Sequence, residues 1–421
     1  MRGALLSLSI AVGCIGLVIT AQAQPENLRL QDILARVIAT NPKLQGQRYA
    51  LAGADARRDQ AALRPVLELG IEVENVLGTG QLRAFKDTEA TLRLGTVLEL
   101  GGKRDRRIDT ADRERELIAL EKDAERLDIL AEAARRFILA LAEQERLALA
   151  VQDLDLSQRT VDDVKQRVTL GRASPVESST AKLALAQSEI GVQEQRSQMR
   201  AAWASVSATW GGAPDASGQA QGALFDLPVL PPFSTLAQAI EKNPDVVRFA
   251  TERRVNEAKL RLAEASRDPD VAASVGLRRF QATKDQAVVF AVSVPLGSGG
   301  RSAPYEREAQ SRIAQGQADE AAARVNLAAA LYGLHQQMEG SRGALDKLQS
   351  AALPEAVQAE RLTEDGFLQG RLSLVELNLA RRALLGVRQQ AVATAATYHQ
   401  FYLEIERLTG RSLSDPATKP R

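Results

Sequence analysis

The chain has 421 residues, a quarter of them charged, yet the charges nearly cancel at net +1. That balance leaves no electrostatic case for nucleic acid, which needs a basic patch or stripe. Aromatics are only 4%, and the abundance of Ala, Leu, Gln, Glu and Arg is the composition of long helices and coiled coils.

Residues 1–23 read as a secretory signal peptide. Arg2 precedes the apolar run Ala4–Ile19, and Ala21-Gln22-Ala23 supplies small residues for cleavage before Gln24. Cys14, the only cysteine, lies inside this segment. A lipoprotein reading of Ala11-Val12-Gly13-Cys14 is the alternative, although Ala11 stands where Leu is usual. Beyond the signal the chain has no thiol, hence neither disulfides nor thiolate metal sites. No later stretch approaches the roughly 18 consecutive apolar residues of a transmembrane helix.

A helix is expected over residues 30–63, ending near Arg64-Pro65. Two strands follow, at 66–73 and 91–100, because apolar residues alternate there: Leu67, Leu69, Ile71 and Val73, then Leu92, Leu94, Leu98 and Leu100. An unbroken helical pattern occupies 103–168, with a seam through Leu117, Leu120, Ala124, Leu127, Ala131, Ala134, Ile138 and Leu141. At 1.5 Å per residue it is roughly 100 Å long. A Gly-Arg turn ends it, and a return helix is expected over 175–210. Residues 211–234, rich in Gly, Pro and small polar side chains, read as a linker.

After the linker the succession starts again: a helix over 235–266, strands at 271–277 and 288–296, a long helix over 301–365, a turn and a helix over 373–408. Landmarks repeat with it. Asn41-Pro42 returns as Asn243-Pro244 at an offset of 202, Leu100 as Leu296 at 196, and Gly171 and Gly211 as Gly370 and Gly410 at 199. The expected architecture is mainly α with a small β part, in two tandem repeats of helix–β-hairpin–long helix–helix over 24–210 and 235–410, with a tail over 411–421. Helix 175–210 stacked end to end on helix 235–266 matches the long helix in height, as does 373–408 on 30–63. The strands then sit at one end of a helical wall and the Gly-Arg tips at the other.

Four strands do not close a barrel, and open sheet edges are not tolerated in lipid. Three chains contributing four strands each give twelve, within the range of outer-membrane barrels. A small soluble antiparallel sheet packed on a helix is the alternative; no second apolar layer stands beside the strands to cover it.

The signal peptide, the tandem repeats, the repeated Asn-Pro pair and the Gly-x-x-Ser-x-x-Glu tips at 171–177 and 370–376 resemble the TolC family of outer-membrane efflux channels across the mature chain. Glu99-Leu100-Gly101-Gly102-Lys103-Arg104 looks like the CzcC-type branch, the outer-membrane partners of heavy-metal resistance-nodulation-division pumps. The resemblance implies a homotrimer in outer-membrane lipid, whose twelve-stranded barrel continues into a periplasmic α-helical coiled-coil barrel. Its tip would dock a periplasmic adaptor (membrane fusion) protein fed by an inner-membrane pump of that type.

The tips carry the candidate functional residues. Ser174–Glu177 and Ser373–Glu376 both read as capping boxes, the first with Pro175 at the opening helical position. The resemblance adds a periplasmic gate of Glu376, Glu177 and Arg371. The family's constriction uses two aspartates one turn apart; Glu376 matches the first, but Leu379 occupies the second position. Leu170, Gly171, Arg172, Gly366, Phe367, Leu368 and Gly370 are expected at exposed turns, either closing the hairpins or receiving the adaptor. Opposite the apolar strand faces, Glu68, Glu72, Glu74, Arg93 and Glu99 are expected to face a wet lumen.

His335 and His399 are the only histidines, and Met199 and Met338 the methionines beyond the signal, so no ligand cluster, resident metal or cofactor is expected. Neither glycine turn that ends a strand, Leu100–Arg104 or Leu296–Arg301, has the spacing of a phosphate loop, and no nucleophile–base constellation indicates an enzyme. The leading expectation, which the resemblance implies, is a passive efflux conduit for heavy-metal cations of the cobalt, zinc and cadmium or the copper and silver type, set against two alternatives: a multidrug-efflux or type I secretion channel, and a periplasmic coiled-coil adaptor or scaffold.

Overall fold

A computed structural model of the chain describes residues 27–212 and 218–410. The expected signal peptide with Cys14, part of the linker and the tail over 411–421 lie outside the described residues.

The first helix is two helices, α1 (Leu30–Thr40) and α2 (Pro42–Ala61), a correction to the single span expected. Asn41 causes the break. A residue before proline avoids the α region, and Asn41 sits at ψ 124° with its Oδ1 accepting from the amides of Lys43 at 2.9 Å and Leu44 at 3.1 Å. The second Asn-Pro does the same. It separates α5 (Phe233–Ala239) and a 3-10 turn (Ile240–Lys242) from α6 (Pro244–Ala265), with Asn243 Oδ1 accepting from Asp245 at 2.7 Å.

Two sheets form. A parallel pair, β1 (Asn27–Leu28) with β4 (Gln219–Ala220), was not expected; it straps the linker across the middle of the molecule. The main sheet contains β2 (Glu68–Glu74), β3 (Glu89–Leu98), β5 (Val271–Phe280) and β6 (Gln286–Ser293), antiparallel throughout in the order β2-β3-β5-β6. The two hairpins therefore meet through β3 and β5, leaving β2 and β6 as free edges.

The first long helix, α3 (Lys103–Thr169), is continuous, and α4 (Pro175–Ser207) returns from its tip. Its counterpart is not uniform. It consists of α7 (Ser298–Lys347), a π-turn (Leu348–Ala352) and α8 (Leu353–Leu368), before α9 (Leu374–Leu408) returns. Pro354 explains the π-turn: its ring crowds the carbonyl four residues back. The widened turn relieves this, with the Leu353 amide donating to Leu348 O instead.

The stacking of half-length helices differs from expectation. Asn41 Nδ2 donates to Thr209 O at 2.6 Å and Thr40 Oγ1 to Trp210 O at 2.9 Å, so α2 begins where α4 ends. Likewise Asn243 Nδ2 donates to Leu408 O at 2.8 Å, so α6 begins where α9 ends. Each return helix is thus spliced to the first helix of its own repeat rather than to that of the other. The repeated glycines belong to these splices. Gly211 has φ +76°, and a Cβ there would stand 2.9 Å from the Pro42 ring; Gly410 has φ +63° and lies against Lys242 O.

Four columns result. α3 packs against α2 and α4 on one flank and against α6 and α9 on the other, and α7 with α8 packs beyond α6 and α9. This is the order of the strands above them, since α2 leads to β2, β3 to α3, α6 to β5 and β6 to α7. The wall, like the sheet, is open at both edges. Its main core lies at mid-height, where α3 residues Leu130, Ala134, Phe137 and Leu141 meet Ile33, Val37, Trp203, Leu224 and Val392. The upper seam residues of α3, Leu117 to Leu127, are only half-buried.

Candidate functional site: sheet faces, helix splices and hairpin tips

Strand register collects the apolar residues on one face. Leu69 pairs with Leu94 and Ile71 with Leu92; these pair with Val275 and Leu277, which pair with Phe290 and Val288. The face is uncovered: Ile71 is 75% exposed, Phe290 76% and Val292 70%. An exposed apolar area spanning four strands is abnormal for a protein surrounded by water.

The opposite face is polar and most of its charges are paired. Arg278 forms ion pairs with Glu74 at 2.9 Å and Glu89 at 2.8 Å, and donates to Thr91 Oγ1 at 2.9 Å; Arg93 lies 3.8 Å from Glu72. Glu72, Glu74 and Arg93 share this face as the alternation predicts, but as members of an ion-paired network in which glutamates outnumber arginines rather than as free charges. Glu68 is exposed on it. Glu99 is a correction. It lies beyond the end of β3, and its Oε2 accepts from Arg107 Nη2 at 3.0 Å. Arg107 and Arg104 also donate to the carbonyls of Leu63 and Ala62 just past the end of α2, so these side chains fasten strand to helix. Arg278 and Glu89 escaped the sequence reading because the expected strands stopped short of both; continuing the alternation by one residue pair at each place finds them.

The Glu99–Arg104 stretch is a joint of the same kind. Gly101 and Gly102 both have φ +70°, and a Cβ on Gly101 would meet Asp268. Lys103 pairs with Asp270 at 2.6 Å, fixing the start of α3 to the turn leading into β5.

At the far end both tips have one design. Gly171 and Gly370 are left-handed at φ +68° and +74°. The following amides, Arg172 N and Arg371 N, each donate 2.8 Å to the carbonyl five residues back, at Arg167 and Gly366. This is a Schellman stop. Ser174 and Ser373 then cap the next helix, which accounts for the repeated Gly-x-x-Ser spacing. The second box is complete: Glu376 Oε2 accepts from the Ser373 amide at 2.7 Å and from its hydroxyl at 2.8 Å, and these bonds hold the carboxyl below the usual glutamate range. The first is half a box. Glu177 contributes its amide to Ser174 Oγ at 3.2 Å, with Pro175 already presetting the first turn.

Gly366 and Phe367 do not face water, contrary to expectation. Phe367 is 2% exposed, packed with Val164, Ala181, Leu374 and Leu377, and a Cβ on Gly366 would strike Leu372. Burial of one aromatic at the tip is what joins the two hairpins: Arg167 of α3 stands 4.4 Å over the Phe367 ring and donates to Phe367 O at 2.7 Å. The residues left on the outside are Leu170, 59% exposed, and Leu368, 58% exposed, beside exposed Gly171, Arg172, Gly370, Arg371 and Glu376. Higher up, Arg381 of α9 ties columns together. It pairs with Glu360 at 3.3 Å and Glu364 at 2.8 Å on α8, and donates to Thr160 Oγ1 on α3. Among the described residues no cluster of metal-ligating side chains occurs and no helix is long and apolar enough to cross a membrane.

Comparisons with known proteins agree with this geometry. Residues 33–212 match the sequence profile of the family described as outer membrane efflux protein. The cobalt-zinc-cadmium resistance protein CzcC of Cupriavidus metallidurans is 27% identical over 418 residues, covering 98% of this chain and all of that protein. Among solved structures, the outer membrane protein VceC of Vibrio cholerae superposes with a TM-score of 0.72 at 17% identity, over 91% of this chain and 96% of its own. CusC, studied for its folding and transmembrane channel formation, gives 0.76 at 14% identity, over 91% and 92%.

Proposed function

We propose that the chain, whose residues 33–212 match the outer membrane efflux protein family, is the outer-membrane conduit of a tripartite efflux system for heavy-metal cations, assembled from three copies. The observation that carries the proposal is the pair of matching open edges. β2 with the α2/α4 column on one side, and β6 with α7/α8 on the other, leave unpaired backbone that lipid does not tolerate. Three copies joined edge to edge close a twelve-stranded barrel over a helical tunnel. The apolar face then meets lipid and the paired charges line water.

In this reading the two repeats span 24–210 and 235–410. The exposed tip residues Leu170, Gly171, Arg172, Leu368 and Gly370 meet a periplasmic adaptor, and Glu376, Glu177 and Arg371 ring the tunnel end. Cobalt, zinc and cadmium are the favoured cargo on the likeness to CzcC along the whole chain. The lining offers charge pairs rather than ligand clusters, so ions pass without stable ligation, and selection falls to the pump.

The test is reconstitution of the detergent-purified chain in planar bilayers, with metal tolerance measured in a strain lacking its own outer-membrane factor. Trimer-sized conducting particles and restored tolerance are expected. A soluble monomer sinks the channel; restored drug tolerance or protein secretion without metal tolerance moves it to another branch.

A further inference from the structure

At the foot of the sheet, between α6 and the start of α7, lies a cavity of about 690 Å³. Its upper rim is Leu296, 93% exposed, which extends the uncovered series Val288, Phe290, Val292 and Val294 of the apolar face. Tyr305, 65% exposed, stands at the side, an aromatic with one apolar body and one polar tip. The lower walls are charged. Lys103 is satisfied by Asp270, Lys259 by Glu114, and Arg312 by Glu308. Two lining groups remain: among the described residues, neither Arg301 nor Asp268 has a side-chain partner of opposite charge within 4.0 Å.

Resting on the channel reading above, we propose that this cavity binds the headgroup of a zwitterionic aminophospholipid from the periplasmic leaflet. The lipid phosphate takes Arg301, its ammonium takes Asp268, and its acyl chains run up past Leu296 along the apolar face. The chemistry supports a lipid over a free anion. A guanidinium without a partner suits phosphate, but a free carboxylate beside it repels an isolated anion and welcomes one that carries its own cation. The apolar rim lies on the side where an acyl chain must leave. Tyr305 has the amphipathic character found at membrane–water boundaries.

The full chain, purified as its native oligomer, is placed in bilayer discs of equimolar phosphatidylethanolamine and phosphatidylglycerol, released into detergent, and weighed by native mass spectrometry. The expected result is phosphatidylethanolamine retained at one per chain, preferred about tenfold over phosphatidylglycerol, and reduced about tenfold by Arg301→Glu or Asp268→Asn. Tyr305→Ser is expected to weaken retention in the same direction. Equal retention by wild type and variants overturns the site. So does equal retention of both lipids, or displacement by inorganic phosphate. Hydrogen exchange over 298–312 as slow in lipid-free as in lipid-loaded oligomers also overturns it, in favour of a neighbouring copy covering the cavity. Sizing and conductance separate the two levels: a conducting trimer without lipid preference ends only this proposal, whereas a soluble monomer ends the channel reading.

Discussion

Phe367 shows how one side chain decides what a hairpin tip is for. Its ring fills the junction of α3, α4, α8 and α9 under the Arg167 guanidinium, so it holds the tips together and is withdrawn from any partner. Phe367→Ala is expected to cost about 3 kcal/mol of local stability by cavity formation, read as faster hydrogen exchange across both tips. Leu368→Ala, at an exposed neighbour, is expected to leave exchange unchanged and weaken adaptor-dependent efflux. A second residue answers to pH. His399 donates Nε2–H to Leu224 O inside the linker strap, and burial holds its pKa below the ordinary histidine value. The unfolded chain therefore binds a proton that the native state refuses, and stability falls as pH drops below about 6.5. His399→Gln is expected to flatten that fall in a series of thermal melts; an identical slope in both proteins discounts the residue.

The Asn-Pro pairs and their glycines make one joint twice: a helix broken by proline, capped by asparagine, and hydrogen-bonded to the last turn of the return helix. Asn243 is fully buried there. Asn243→Ala removes a cap and leaves the Leu408 carbonyl short of a donor, a loss of about 1–3 kcal/mol. Asn41→Ala is expected to behave alike, seen as a lowered thermal midpoint, and a double variant to lose roughly the sum, because the joints are separate. The Asn-Pro and Gly landmarks were visible in the sequence at matched spacing, yet their partnership was not. Helix lengths fit either stacking, α4 with α6 or α4 with α2, and only the hydrogen bonds from Asn41 to Thr209 and Asn243 to Leu408 distinguish them. The π-turn was hidden for a related reason: Pro354 announces a disturbance, but whether the helix ends, kinks or widens depends on what packs around it.

Taken as one body, the chain is a strip four columns wide, with the same order of elements in sheet and helices and no closure of its own. Cysteines introduced singly along β2 and β6 and combined in one chain are expected to form disulfides between copies at a subset of positions, giving a covalent trimer on denaturing gels. Ladders that stop at dimers, or monomers only, contradict edge-to-edge closure. High salt is expected to leave the native trimer without introduced cysteines intact on sizing, since the edges join by backbone hydrogen bonds and packing, which are not screened as exposed charges are.

The order of elements, the strand faces and the tip turns were all written locally: alternation of two along a strand, three-and-four spacing along a helix, and glycine followed by serine at a stop and restart. These patterns depend on neighbours a few residues away, and so a single chain discloses them. Which half-helix rests on which, that Phe367 turns inward while Leu368 stays out, and that Arg278 finds Glu74 and Glu89 were decided only by folding. Those outcomes compare contacts between segments up to about two hundred residues apart, whose energies differ by no more than a hydrogen bond or a buried ring, and local pattern carries no record of that comparison.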